Sequence, residues 1–516
     1  MHQVKTRTRR RTHLLATSAA IVAVALALSG CSGFFQQAAP STSTPTGESV
    51  EGDLEPFYGQ VLAWENCGDG LQCSTATAPL NWDDPDQGEI ELALVRQVAT
   101  GDRIGSLLVN PGGPGASGYD AVATSVDFVT DDKLQAGFDV VGFDPRGVGR
   151  STPVSCYDDA DMDSFLYDII DAPRGTDEWI AKSETVSADF GAACSSSTGA
   201  LLEYVDTENA ARDLDLLRAT LGDEKLNYLG YSYGTFLGAT YAELYPDNVG
   251  RLVLDGALDP STSNFDVTKT QAVGFENALR AYLGACLEGA ECPFDGTVDD
   301  ALGTVAALLA SVDASPIAAA DGRELGSGAL LTAIIYPLYS QSSWPVLSEM
   351  FTAVMFGSAD EAFSLADGYN GRNADGSYRD NSTEAFLSIN CMDYAYNDDP
   401  AAMRAQAAEI SAAAPIIGTY LSFGDIGCAN WPYAFEGERE PIHAAGAAPI
   451  LVIGTTNDPA TPYVWAQNLA EQLDSGQLVT YEGEGHTAYN KSNQCVNDTV
   501  DAYLLEGTVP ATDPLC

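Results

Sequence analysis

Gly230-Tyr231-Ser232-Tyr233-Gly234 places one serine between two glycines. Residues 225–231 before it read as a short strand, and residues 235–245 after it read as a helix that Pro246 stops. A G-x-S-x-G that turns from strand to helix holds the hydroxyl exposed at the tip of the turn, over a helix N-terminus, where it can attack an acyl carbon. With 49 glycines in 516 residues the bare motif is cheap, and a plain glycine turn is its bland reading. The flanking strand and helix give the chemical reading its weight.

A serine nucleophile needs a neutral imidazole to take its proton and a carboxylate to orient that imidazole. The chain has four histidines, and His2 and His13 fall in a basic, apolar leader. The apolar run 449–454 leads into Thr-Thr-Asn-Asp458-Pro, and the run 478–481 leads into Glu-Gly-Glu-Gly485-His486. Nucleophile, acid and histidine thus follow one another as Ser232, Asp458 and His486, each after a strand. His443 precedes the Asp458 strand and reads as a surface or cap histidine. Acyl transfer also needs backbone N–H groups aimed at the developing oxyanion. Tyr233, directly after the serine, offers one. Asn110-Pro111-Gly112-Gly113-Pro114-Gly115 offers the second at Gly113, because the flanking prolines stiffen the loop and cannot donate. Asp144-Pro-Arg146-Gly-Val-Gly-Arg150-Ser151 matches neither a phosphate-binding P-loop nor a dinucleotide fingerprint. It reads as a scaffold loop in which Arg146 is tied to carboxylates.

Strand-like runs at 90–95, 107–110, 138–143, 225–231 and 251–255 precede a break, and 449–454 and 478–481 follow it. Asp206 caps a helix with apolar Ala210, Leu214 and Leu217 at i, i+4 and i+7. Strands alternating with helices predict an α/β class: an α/β-hydrolase fold with a mostly parallel central sheet, helices on both faces and an inserted helical cap. The core is expected in two parts, 55–256 and 448–516, and the cap over 257–447. Within the cap, helices are expected at 272–287, 298–311, 328–339, 344–356 and 401–413. Trp344, Tyr394, Tyr396 and Trp431 give it aromatic surface, mostly for its own core.

Lys5, Arg7 and Arg9 to Arg11 precede the apolar stretch 14–28, and Leu28-Ser29-Gly30-Cys31 matches a bacterial lipobox. Residues 1–30 are therefore expected to be a lipoprotein signal peptide, with Cys31 the lipidated residue of an exported, membrane-anchored or released protein. An ordinary secretory signal is the alternative. Residues 31–54, rich in Ser, Thr, Pro and Gly, read as a flexible tether. Ten further cysteines suit an oxidising compartment. Cys67 with Cys73 and Cys286 with Cys292 pair most simply by proximity. Cys156 with Cys194, Cys391 with Cys428, and Cys495 with Cys516 complete a scheme that spacing alone leaves open. No Cys-x2-Cys pair supports a zinc site, so no metal is expected. Without the leader, 19 basic residues stand against 73 acidic ones, a formal charge of −54. Such a field repels nucleic acid and anionic membrane surfaces, which leaves a lipid anchor as the expected membrane contact.

Taken together, Gly-Gly-Pro-Gly at 112–115, Asp-Pro-Arg-Gly-x-Gly-x-Ser at 144–151, the Ser232 motif, Asp458-Pro-Ala-Thr-Pro, Gly485-His486, the early Trp64-Glu-Asn-Cys67 and the closing Cys495 to Cys516 stretch resemble the secreted tripeptidyl aminopeptidase branch of the proline iminopeptidase family. They are similar also to mycobacterial serine hydrolases called carboxylesterases. The resemblance implies no cofactor and cleavage of short peptides from a free N-terminus. Iminopeptidases carry His before Gly-Gly-Pro-Gly. This chain has Asn110-Pro111 there, which suits the tripeptidyl branch better. An exopeptidase must hold the substrate ammonium, and Asp393 is a candidate because a bridge at Cys391 would fix its place. A carboxylesterase or lipase with the same triad is the rival function, and a non-catalytic binding lipoprotein a third. Oligomeric state is not set by these features.

Overall fold

The computed structural model describes residues 40–516 apart from positions 434, 436 and 438; the leader and Cys31 lie outside the described residues. In chain order the strands are β1 (Ser41–Thr42), β2 (Ala63–Gly68), β3 (Leu71–Pro79), β4 (Glu89–Gln97), β5 (Gly105–Asn110), β6 (Phe138–Phe143), β7 (Leu226–Tyr231), β8 (Val249–Asp255), β9 (Ile317–Ala318), β10 (Glu324–Leu325), β11 (Ile450–Asn457) and β12 (Gly476–Glu484). Among the described residues ten of them form one sheet in the order β1-β2-β3-β4-β6-β5-β7-β8-β11-β12, and β9 pairs with β10 apart from it. From β6 to β12 every neighbour is parallel, whereas β1 to β4 form an antiparallel flank that meets β6 antiparallel.

The parallel strands are apolar runs because both of their faces are covered. Successive side chains point to opposite sides. Leu252 and Leu254 of β8 and Ile450 and Val452 of β11 therefore join Leu214, Leu217 and Leu237 in one core. Val253, Leu451 and Ile453 join Val122, Val500 and Leu504 in the other. The first set packs under the helices Thr207–Leu221 and Tyr233–Leu244, the second under Gly118–Val129 and Gln494–Glu506. Because β5, β7, β8, β11 and β12 run parallel, their C-terminal ends open at one edge of the sheet. The loops beginning at Pro111, Ser232, Gly256 and Asp458, and the one carrying His486, all start there.

The cap has its own core, built from Leu279, Leu283, Leu330, Ile334, Leu347 and Phe351. Its helices include Asn264–Leu287, Val298–Ala314, Ser327–Leu338, Trp344–Met355 and Pro400–Ala413. Asp360–Asn370 and Ser382–Asp393, which the sequence pattern did not announce, are helical as well. Among the described residues, no helix is long and apolar enough to cross a membrane.

Two boundaries need correction. The first core part, 55–256, is interrupted after β6 by the helices Asp159–Tyr167 and Asp177–Thr198. Their packing is divided: Met162, Phe190 and Cys194 join the main core, whereas Tyr167 is buried in the cap core and Asp163 pairs with Arg372 at 2.7 Å. The second correction concerns the expected tether. From Ser41 the chain is strapped to the core: Ser41 and Thr42 pair with Trp64 and Ala63, and the Thr46 N–H donates to Ala219 O at 2.9 Å. Glu48 lies 2.7 Å from the buried Arg218 guanidinium, and Val50 and Leu54 pack on the core. A polar, Ser/Thr-rich composition does not prevent this, because the strap uses backbone groups and one charge.

The ten cysteines from Cys67 onward form five disulfides, Cys67–Cys73, Cys156–Cys194, Cys286–Cys292, Cys391–Cys428 and Cys495–Cys516. Arg146 is fully buried and sits bidentate on Asp213 at 2.7 and 2.6 Å, with its remaining donors on the carbonyls of Pro79, Leu80 and Tyr204. Every guanidinium proton has an acceptor, the condition under which a buried charge is tolerated.

Candidate active site

Ser232 occupies φ 55°, ψ −123°, a backbone region that non-glycine residues avoid, immediately before the Tyr233–Leu244 helix. The turn is held from several sides. Ser232 N–H donates to Asp255 O at 2.9 Å, Thr235 Oγ1 donates to Ser232 O at 2.6 Å, and Tyr228 OH donates to Gly234 O at 2.8 Å. The flanking glycines are needed for close approach: a Cβ on Gly234 would sit 2.8 Å from Asn110 O. Ser232 thus caps the helix by position, with the positive end of the helix dipole beneath it.

Asp458 is buried at the end of β11, and both of its oxygens lie 3.0 Å from His486 Nδ1. The same carboxylate accepts from the N–H groups of Ala460 at 2.9 Å, Thr461 at 2.8 Å and Thr487 at 3.2 Å, and from Thr461 Oγ1 at 3.0 Å. With so many donors already on it, the carboxylate serves His486 as an acceptor. Nδ1 therefore carries the imidazole proton, and Nε2 is left with its lone pair. From the cap, Tyr339 O accepts from His486 N–H at 2.9 Å, and the Tyr339 ring stands edge-on to the imidazole at 5.4 Å. Asp255 joins the halves of the site. Its carbonyl holds Ser232, and its buried carboxylate accepts from Ala488 N–H at 3.0 Å and Tyr489 N–H at 2.8 Å. Gly256 beside it is so close to His486 that an added Cβ would lie 3.3 Å from Cε1.

On the other side of Ser232 runs the Pro111–Gly115 loop. Gly112 N–H donates to Asn110 Oδ1 at 2.9 Å, whereas the N–H groups of Gly113 and Tyr233 have no acceptor among the described residues. Gly112 has φ 98°, and a Cβ there would meet Tyr231 O at 2.5 Å and Ser232 Cβ at 2.9 Å. Gly112→Ala is therefore expected to displace Ser232 while leaving the protein folded. The expected cost is about 10²-fold in kcat, the scale of an ångström-sized misplacement. Steady-state kinetics beside a thermal melt would check it; a variant with normal kcat would show that the loop does not buttress Ser232.

A cavity of about 230 Å³ lies between core and cap, with Gly113, Ser232, Tyr233, Asp393, Tyr394 and Tyr396 in its walls. Asp393 ends the Ser382–Asp393 helix, two residues after the bridged Cys391. Its carboxyl is pushed up to about 7 by burial, against the pull of the Thr207 hydroxyl and amide and of the Arg439 charge. Arg439 itself is sandwiched between the rings of Phe236 and Tyr394, 3.8 and 4.4 Å from their centres. Of the four cap aromatics singled out in the sequence, Tyr394 and Tyr396 face the cavity, Trp344 lies in the cap core, and Trp431 packs against the main core. His443 is exposed and away from the cavity, with Nδ1 against Gln472 O at 2.9 Å.

The chain is similar to known proteins over most of its length. Residues 414–516 match the family model described as TAP-like protein. The chain is 35% identical to serine protease Hip1 of Mycobacterium tuberculosis, over 96% of each chain. The chain belongs to this TAP-like family of α/β-hydrolases. Within the family it is also 36% identical to carboxylesterase B of Mycobacterium tuberculosis, over 97% of this chain and 98% of that one. It is 30% identical to tripeptidyl aminopeptidase of Streptomyces coelicolor, over 88% of this chain and 86% of that one. Asp255, Tyr339 and Thr207 are the residues of this TAP-like site that sequence reasoning missed. Asp255 carried a faint signal as a polar residue closing an apolar strand. Tyr339 and Thr207 carried none, since only packing brings them to the site.

Proposed function

We propose that this chain is a serine exopeptidase that cleaves short peptides near a free N-terminus through an acyl-enzyme. The observation that carries the reading is a buried carboxylate, Asp393, in the wall of the same small cavity as Ser232. Ser232 Oγ gives its proton to His486 Nε2 as it attacks the scissile carbonyl. The resulting oxyanion takes hydrogen bonds from the N–H groups of Tyr233 and Gly113. His486 returns the proton to the departing amine, and water repeats the cycle on the acyl-enzyme. Asp458 stays ionised throughout and keeps the imidazole turned. Asp393 takes the substrate ammonium, so a free amine is selected and the chain length between amine and scissile bond is limited.

The relatives named serine protease Hip1 and tripeptidyl aminopeptidase support peptide bonds as the target, and the one named carboxylesterase B supports the second reading, an esterase using the same triad. Arylamides of one, two and three residues, assayed beside short acyl esters, separate the two. The exopeptidase is expected to favour the tripeptide, and faster turnover of esters with no dependence on peptide length would establish the esterase instead. Five disulfides and the basic, apolar leader support export, and Cys31 is proposed as the site of lipid attachment on the extracytoplasmic face.

A further inference from the structure

Asp393 and the serine turn are joined by an unbroken hydrogen-bonded chain. Thr207 opens the Thr207–Leu221 helix, and its N–H donates to Asp393 Oδ1 at 2.8 Å. Its hydroxyl lies 2.6 Å from Asp393 Oδ2 and 2.5 Å from the phenol oxygen of Tyr233. A threonine hydroxyl has one proton to give, and an ionised carboxylate can only accept. With Asp393 ionised, Thr207 Oγ1 donates to it and accepts from Tyr233 OH. All three side chains are buried. Among the described residues, the backbone N–H of Tyr233, beside Ser232, also has no acceptor. One end of the chain thus lies where a substrate amine would bind, and the other is the residue proposed to hold the oxyanion.

We propose that Thr207 is a positioning residue that transmits occupancy of the amine site to the oxyanion donor Tyr233, so that a bound N-terminus raises turnover as well as affinity; this rests on the exopeptidase reading above. The physics is local. An ammonium paired with Asp393 keeps it ionised and makes the Thr207 bond charge-assisted. A polarised Thr207 oxygen is then a better acceptor for Tyr233 OH, because consecutive hydrogen bonds strengthen one another. The phenol is pinned, and with it the first turn of the Tyr233–Leu244 helix. Without the amine, burial favours the neutral acid, and the chain loosens. The charged and titratable groups around Asp393 are Asp206 on its helix-cap side, Arg439 from the 439–447 segment, Tyr233 below, and Tyr394 and Tyr396 beyond it.

The test compares free and N-acetylated tripeptide-arylamides in the full chain and in three variants. In the unaltered protein, acetylation is expected to raise KM and also to lower kcat at least tenfold. In Thr207→Val, nearly the same shape without the hydroxyl, free and acetylated substrates should share one low kcat. Thr207→Ser should restore the difference. Tyr233→Phe cuts the chain at its far end without touching Asp393. It should erase the acetylation effect on kcat and leave the effect on KM, and it decides the matter if Thr207→Val does not fold. Folded Thr207→Val or Tyr233→Phe protein in which acetylation still lowers kcat by the full factor would overturn the relay. So would acetylation that changes only KM in the unaltered protein, with the amine site left standing. Acetylation that changes neither parameter would overturn the exopeptidase reading itself.

Discussion

Ser232→Ala is expected to lower kcat by ~10⁴-fold or more for every substrate, peptide or ester, with folding unchanged. The hydroxyl contributes to no hydrogen bond among the described residues, so its loss costs no packing network. The turn itself is held by the Ser232 backbone, through Asp255 O and Thr235 Oγ1. His486→Ala should match it in rate, because serine and histidine act as one unit and removing either removes proton transfer. Its thermal midpoint should fall slightly, since Asp458 loses one of its donors. His443→Ala should be almost silent, as that ring sits on the surface. Active-site titration with an acylating reagent, with circular dichroism as the folding control, would read all three. A Ser232→Ala protein of near-normal activity would end the assignment of the nucleophile.

The second large effect concerns the amine. On the exopeptidase reading, acetylating a tripeptide-arylamide removes one partner of an ion pair formed against the buried Asp393 carboxylate. Leaving the other partner buried costs roughly 3–5 kcal/mol in comparable cases, or on the order of 10²- to 10⁴-fold in kcat/KM. The ratio of kcat/KM for free over acetylated substrate carries this term together with the effect of the amine on turnover proposed above. The pH dependence of the ratio has a definite sign. Asp393 is pushed up to about 7 by burial, so as pH falls through that value it takes a proton and the ratio falls. A peptide α-amine loses its own proton near pH ~8, so the ratio falls again on the alkaline side. A maximum between about pH 7 and 8 is the expected result. Asp393→Asn should flatten the ratio toward one while sparing small acyl esters. A ratio near one in the unaltered protein would remove the exopeptidase, and a large ratio that survives Asp393→Asn would move the amine site to another carboxylate.

The order of the candidate triad residues along the chain is read without any structure. Ser232, Asp458 and His486 each follow an apolar run, and parallel strands must deliver such loops to one edge. This is a consequence of local pattern, since burial on both faces leaves a continuous apolar strand that composition reveals. The Asp206 cap and the helix it begins were equally local. What tertiary structure decided is everything that depends on distant segments meeting. Thr207 and Asp393 are 186 positions apart. Nothing in either neighbourhood announces that the carboxylate will sit on the first turn of that helix, or that Tyr233 will close the chain. The antiparallel β2–β3 pair was hidden because β3 turns small alanines, Ala76 and Ala78, into the core in place of large apolar side chains. The 40–54 strap was hidden because backbone hydrogen bonds, one ion pair and only two apolar side chains, Val50 and Leu54, hold it, a pattern that composition does not encode. The composite cap followed the same rule. Helices Asp159–Tyr167 and Asp177–Thr198 precede Ser232 in sequence, yet both reach the cap, through Tyr167 and Asp163 in the first and through Ile180 beside Met403 and Asp177 with Arg404 in the second.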